Sequence, residues 1–243
     1  MAPRHWDFSL LKWGRAGPAN ILSRSSKGTP RGAWPRATGI VRCSSGAGPC
    51  PAILLRASRS VRHQAVLSFY IRRLPHWHPP DAEFFVTWRL YGSLPKGAPA
   101  MAFADRDRCL DRGSFGPLWM KDPRVADCVA QVLRSGAAER QLYELAAWVV
   151  MANHVHVLMR PLVPLHKALM NTKSASARAA NLILKRTGEP FWQDESWDRW
   201  MRNDRERAGV IRYIEENPLS AGLVDAPEDW PWSSAHERVG VTR

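Results

Sequence analysis

Tyr143-Glu144-Leu145-Ala146-Ala147-Trp148-Val149-Val150-Met151-Ala152-Asn153-His154-Val155-His156-Val157-Leu158-Met159 is the stretch whose reading decides the fold. Tyr143 to Val150 is apolar and rich in aromatic and β-branched residues, which reads as a strand. From Asn153 a second strand begins, in which Val155, Val157 and Met159 alternate with His154, His156 and Leu158. Met151-Ala152-Asn153 leaves just enough chain for a tight connection, so the two strands are expected to pair antiparallel. Residues i and i+2 of a strand project from one face, so both imidazoles can converge on one divalent cation while Val155 points into the core on the other side. A histidine pair is equally compatible with hydrogen-bonded strand-end residues, and a third ligand is needed to make it a metal site.

Working outward, Phe84-Phe85-Val86-Thr87-Trp88-Arg89-Leu90 reads as an earlier strand that ends before Gly92 and Pro95. Asp122 and Pro123 supply an N-cap and a first-turn proline for Val125-Ala126-Val129-Val132-Leu133, a helix expected to stop at Gly136. Leu165 to Leu184 has helical apolar spacing, and Gly188-Glu189-Pro190 ends it. Phe191 to Trp200 has room for an edge strand, and Asp204 can cap a last helix running to about Glu216. Strand, helix, two strands, helix, strand, helix predicts an α+β fold: a ferredoxin-like (RRM-like) antiparallel sheet with helices packed on one face.

The 243-residue chain carries a net charge of +13, which points to a polyanionic partner. Residues 1–65 hold eleven lysines and arginines against the single acid Asp7, so most of the excess lies there. This Gly-, Pro-, Ser- and Arg-rich stretch cannot bury enough apolar surface to offset chain ordering, and it is expected to be a disordered basic tail before a domain at 70–236. Its functional reading is a nucleic-acid-binding arm. The alternative is a start assigned too far upstream, with Val61, Val66 or Leu67 as the initiator; in composition the stretch also resembles a transit peptide. Cys43, Cys50, Cys109 and Cys128 form no CxxC pair, which argues against a zinc knuckle or a disulfide framework and fits a reducing cytoplasm. No run of eighteen apolar residues exists, so no membrane partner is expected.

Tyr213-Ile214-Glu215-Glu216-Asn217 offers the third ligand. Four residues along a helix share a face, so Tyr213 and Asn217 can both look at the two histidines. The plain alternative is a core tyrosine with a helix-ending asparagine, and Pro218 disfavours helical geometry at Asn217. Lys173, Arg178, Arg199, Arg202, Arg205 and Arg212 offer basic density for DNA, and Trp192, Trp197 and Trp200 offer rings on which unpaired bases can stack; the plain alternative for each is a solvated charge or a core tryptophan. His76-Trp77-His78, followed by Pro79-Pro80, reads as an extended loop, either a DNA-facing patch or a segment packed on the sheet edge.

Trp148 to Leu158, Phe191-Trp192-Gln193, Tyr213 to Val224 and Trp230-Pro231-Trp232-Ser233-Ser234-Ala235 together resemble the motifs of REP-associated tyrosine transposases, in the same order and over about residues 70–236. Ala152 stands where that family usually has proline, and Ser220 where a basic residue is common. The resemblance implies a single-tyrosine HUH nuclease that acts as a transposase on single-stranded or hairpin DNA. Tyr213 would be the nucleophile, and Mg²⁺ or Mn²⁺ would be held by His154, His156 and Asn217. It further implies a cytoplasmic, nucleoid-associated bacterial protein, as a monomer or homodimer. A catalytically inactive binding module of the same fold is the alternative, and a histidine-metal hydrolase whose cleavage survives loss of Tyr213 is a third reading.

Overall fold

A computed structural model of the chain describes residues 68–71, 75–79, 81–95 and 102–240. The basic stretch 1–65, expected to be a disordered tail, lies outside the described residues. A small antiparallel hairpin, β1 (Ser68–Ile71) and β2 (Pro75–His78), comes first. His76-Trp77-His78 is therefore a strand where a loop is expected. The remainder is a four-stranded antiparallel sheet with five helices. Its strands are β3 (Phe84–Arg89), β4 (Tyr143–Val150), β5 (His154–Pro161) and β6 (Trp197–Trp200), in the order β4-β5-β3-β6. The helices are α1 (Phe103–Arg112), α2 (Pro123–Ala138), α3 (Leu165–Ile183), α4 (Asp204–Ser220) and α5 (Ser234–Gly240).

The alternation along β5 splits the molecule into two cores. Val155, Val157 and Met159 join Phe84, Val86 and Trp88 of β3 under α2 and α3. Leu158 joins Phe85, Val149 and Ala147 on the opposite face, under Val210 and Ile214 of α4 and Phe103 of α1. Helices thus cover both faces, not one. The physical reason is that β3, β4 and β5 carry apolar side chains on both faces, and an uncovered second face would leave Phe85, Val149 and Leu158 in water.

Local chemistry sets the element ends. Asp122 caps α2 by accepting from the Arg124 N–H at 3.0 Å, with Pro123 in the first turn. The helix continues past Gly136 because that residue does not stop it but makes room for Tyr143, whose Oη would lie 2.2 Å from a Cβ there. The N-cap of α4 is Asn203 rather than Asp204, accepting from the Glu206 N–H at 2.9 Å. This helix runs through Pro218 to Ser220, beyond the expected end at Glu216, and closes with Ala221 N–H to the Asn217 carbonyl at 2.9 Å. Asn217 therefore keeps helical geometry one turn after Tyr213. No helix among the described residues is long and apolar enough to cross a membrane.

Candidate active site

β5 presents His154 and His156 to the face beneath α1 and α4, both with 0 % exposure. In the sheet register His156 lies opposite Thr87 on one side and Val149 on the other. The two Nε2 atoms are 3.0 Å apart. Asn153 Nδ2 donates to the Leu110 carbonyl at 3.0 Å, which turns its Oδ1 toward His154 Nδ1 at 2.7 Å. His154 Nδ1 is thus the protonated nitrogen, and Nε2 carries the lone pair. Thr87 Oγ1 meets His156 Nδ1 at 2.7 Å. Such outer partners fix ring orientation in the way metal-ligating histidines require. Burial holds both imidazoles neutral, with His154 pulled down to about 3 and His156, next to it, also well below its ordinary value.

α1 adds two carboxylates one turn apart. Asp107 Oδ1 lies 3.4 Å from His156 Nε2, and Asp111 Oδ1 lies 3.5 Å from His154 Nε2. Burial first, then the charge of Asp111, pushes the Asp107 carboxyl well above the usual range. Burial raises Asp111 to about 7, against a hydrogen bond from Asn217 that favours its charged form. Both oxygens of Asp107, Oδ1 of Asp111 and Oδ1 of Asn217 are buried without a hydrogen-bond partner. Acceptors crowded together without donors are costly unless a cation or shared protons lie among them. Asp107, His154 and His156 form a buried group able to hold a metal ion.

α4 supplies the remaining pieces. The Tyr213 ring is half-buried, 5.5 Å from the His156 ring and 5.8 Å from that of Phe85. Asn217 is buried one turn later, beside Asp111. The structure therefore brings His154, His156, Tyr213 and Asn217 together, as the sequence predicts. It adds Asp107 and Asp111, which the sequence reading missed. Six of the ten residues of α1 are charged and its N-cap Ala102 makes no side-chain cap, so apolar periodicity and start signal are both weak. The spacing Asp107-x-x-x-Asp111 was the available signal, since i and i+4 share a helical face.

The expected DNA contacts separate. Arg202 and Arg205 are exposed at the β6–α4 end and Arg212 midway along α4, with Arg202 5.7 Å over the Trp200 ring, while Arg199 is ion-paired with Glu206. Arg178 and Lys173 belong to α3, across the sheet from the histidines, and Lys173 donates to the Gln193 and Asp194 carbonyls at 2.6 and 2.9 Å. Trp192 is 7 % exposed, packed in the α2–α3 core with its Nε1 donating to Ser176 Oγ at 3.0 Å, so it offers no face to a base. Its aromatic bulk fills the core between Trp88 and Phe191.

The strand-borne histidine pair thus faces a helical tyrosine and asparagine within an α+β chain. No protein family model matches the chain. In sequence it is similar to a protein named putative REP-associated tyrosine transposase from Haemophilus influenzae, 27 % identical over 112 residues, covering 42 % of this chain and 64 % of that one. It is also similar to the REP-associated tyrosine transposase of Escherichia coli, 28 % identical over 102 residues, covering 40 % and 57 %. The chain thus spans somewhat less than two thirds of the length of these curated relatives. Among solved structures it is similar to a REP-associated tyrosine transposase bound to a REP hairpin, with 18 % identity, TM-score 0.44 and coverage of 70 % of this chain and 86 % of the other. A second is a putative transposase from Deinococcus radiodurans, with 18 % identity, TM-score 0.29 and coverage of 61 % and 93 %. The resemblance read from the motifs is to the group of proteins named by the curated relatives.

Proposed function

We propose that residues 70–236 form a ferredoxin-like HUH domain that cuts and rejoins single-stranded or hairpin DNA through a covalent bond to Tyr213, as a transposase in the cytoplasm of a bacterium. The order β4-β5-β3-β6, with α2 and α3 as its two crossover helices, supports the fold reading. The observation that carries the function is the placement of the Tyr213 ring against His156, beside four buried oxygen atoms that lack donors.

His154 and His156 would hold Mg²⁺ or Mn²⁺ through their Nε2 atoms, with Asp107, and Asn217 or Asp111 beside it, completing the set. The mixed imidazole and carboxylate donors fit such an ion, which when bound would polarise the scissile phosphate. Tyr213 Oη attacks the phosphorus. A tyrosine–phosphorus ester forms, the bond to the 3′-oxygen breaks, and the proton lost by the phenol balances the one gained by the departing 3′-hydroxyl. The product is a 5′-phosphotyrosine and a free 3′ end. A later 3′-hydroxyl reverses the step onto a new strand, so no ATP is consumed. α4 orients the attacking ring through its packing against Phe85 and His156. The exposed Arg202, Arg205 and Arg212, at the start of and along α4, would meet a bound strand's phosphates.

The test is a covalent protein–DNA adduct that survives denaturing electrophoresis after incubation with single-stranded hairpin DNA and Mn²⁺ or Mg²⁺. The reading expects an adduct with the ion and none with EDTA. Cleavage to free ends without adduct would overturn it.

A further inference from the structure

A cleft of about 280 Å³ opens beside the histidine pair, and Asp107 belongs to both. β3 places Arg89 in its wall, in register opposite His154, and α1 places Arg106 there, adjacent to Asp107 in the chain. Trp197, stacked on Phe103 at 4.0 Å, forms an apolar side. Arg89 reaches only neutral oxygens, the Leu90 carbonyl at 3.4 Å and Ser93 Oγ at 3.3 Å. Among the described residues neither Arg89 nor Arg106 makes an ion pair within 4.0 Å. Both guanidinia are half-buried in the cleft wall, so two like charges border one space.

Two half-buried cations that repel each other are stabilised by an anion between them. The two carboxylates in the wall, Asp107 and Glu195, pair with neither guanidinium within 4.0 Å, so both forks are left without a charged partner among the described residues. A phosphodiester suits the site, because its two free oxygens can each accept from one guanidinium fork. We propose that this cleft holds the phosphate of a nucleotide next to the scissile one, gripped by Arg89 and Arg106, with the Trp197–Phe103 stack as its apolar wall. The inference rests on the single-strand DNA reading above and gives that strand a path to the buried histidines.

The test measures binding of a fluorescein-labelled oligothymidylate to the full chain carrying Tyr213→Phe, in EDTA, over salt from about 50 to 200 mM. Adding Arg89→Gln and Arg106→Gln is expected to weaken binding about tenfold and to shrink the log–log salt slope by about 0.7, the contribution of one single-strand phosphate. Arg89→Lys with Arg106→Lys is expected to keep the slope. Arg106→Gln alone carries the test if the double Gln variant does not fold, with at least about a threefold loss expected, one of two donors to a charged phosphate being removed. Binding within twofold of the parent and an unchanged slope would overturn the cleft. Neither metal nor the tyrosine hydroxyl takes part, so a chain that binds through these arginines but forms no adduct keeps the cleft and loses the nuclease reading.

Discussion

Asp107 Oδ1 stands 3.4 Å from His156 Nε2, with the carboxylate contributed by a helix and the imidazole by the strand beneath it. Both side chains are shut off from solvent, and neither oxygen of Asp107 has a hydrogen-bond partner. Buried acceptors of this kind are costly unless a cation or a shared proton lies among them.

Removal of Asp107 should therefore separate metal binding from folding. Asp107→Ala is expected to lower Mn²⁺ affinity by more than the roughly 10–100-fold that loss of an outer partner of a metal ligand costs. Asp107→Asn without metal should be at least as stable as the parent, since the amide is neutral at that buried position without having to take up a proton. Calorimetric titration with Mn²⁺ and melting with and without the ion check both. Parent-like Mn²⁺ affinity in Asp107→Ala would remove this residue from the ligand set.

Asp111 gives the metal-free protein a pH signature. Its carboxyl is raised from 3.8 to about 7 by burial, so the folded state holds the proton more tightly than the unfolded chain. Its stabilising share is complete below about 3.8 and is lost as pH rises through about 7. His154, pulled down to about 3, runs the other way, losing its share as pH falls. Comparison with Asp111→Asn isolates the carboxyl: between about pH 4 and 7 the parent should lose stability relative to the variant as pH rises. A constant difference in urea midpoint across that range would contradict the assignment.

The packing of α2 on β4 can be tested at one atom. A Cβ at Gly136 would meet Tyr143 Oη at 2.2 Å, and that hydroxyl is held by the Leu133 carbonyl at 3.1 Å and Thr172 at 3.2 Å. Gly136→Ala, favourable by helix propensity, should instead destabilise by about 1–3 kcal/mol through overpacking. Tyr143→Phe combined with Gly136→Ala should recover part of the loss. Urea denaturation of the three variants decides.

Much of this arrangement was legible in the sequence because strand alternation and helical spacing are strict geometric periods. His154 and His156 share a face because they are two residues apart on β5, and Tyr213 and Asn217 because they are four apart on α4. The end of α4 was harder, since Pro218 removes one N–H yet the packing of Ile214 and Asn217 keeps the turn helical. α1 was illegible: its charged residues hide a buried edge made of Phe103, Asp107 and Leu110, in which the middle residue is polar. Trp192 falls to its core alternative, because a tryptophan's value for stacking on bases is also its value for filling a core.

Whether Tyr213 is the nucleophile is decided by Tyr213→Phe. The substitution removes the oxygen proposed to attack and keeps the ring that packs against His156 and Phe85. With Mn²⁺ and a single-stranded hairpin substrate, melting temperature and DNA affinity should stay close to those of the parent, while the covalent adduct on a denaturing gel disappears. An adduct of undiminished yield in the Phe variant would contradict the account and place the nucleophile on another residue.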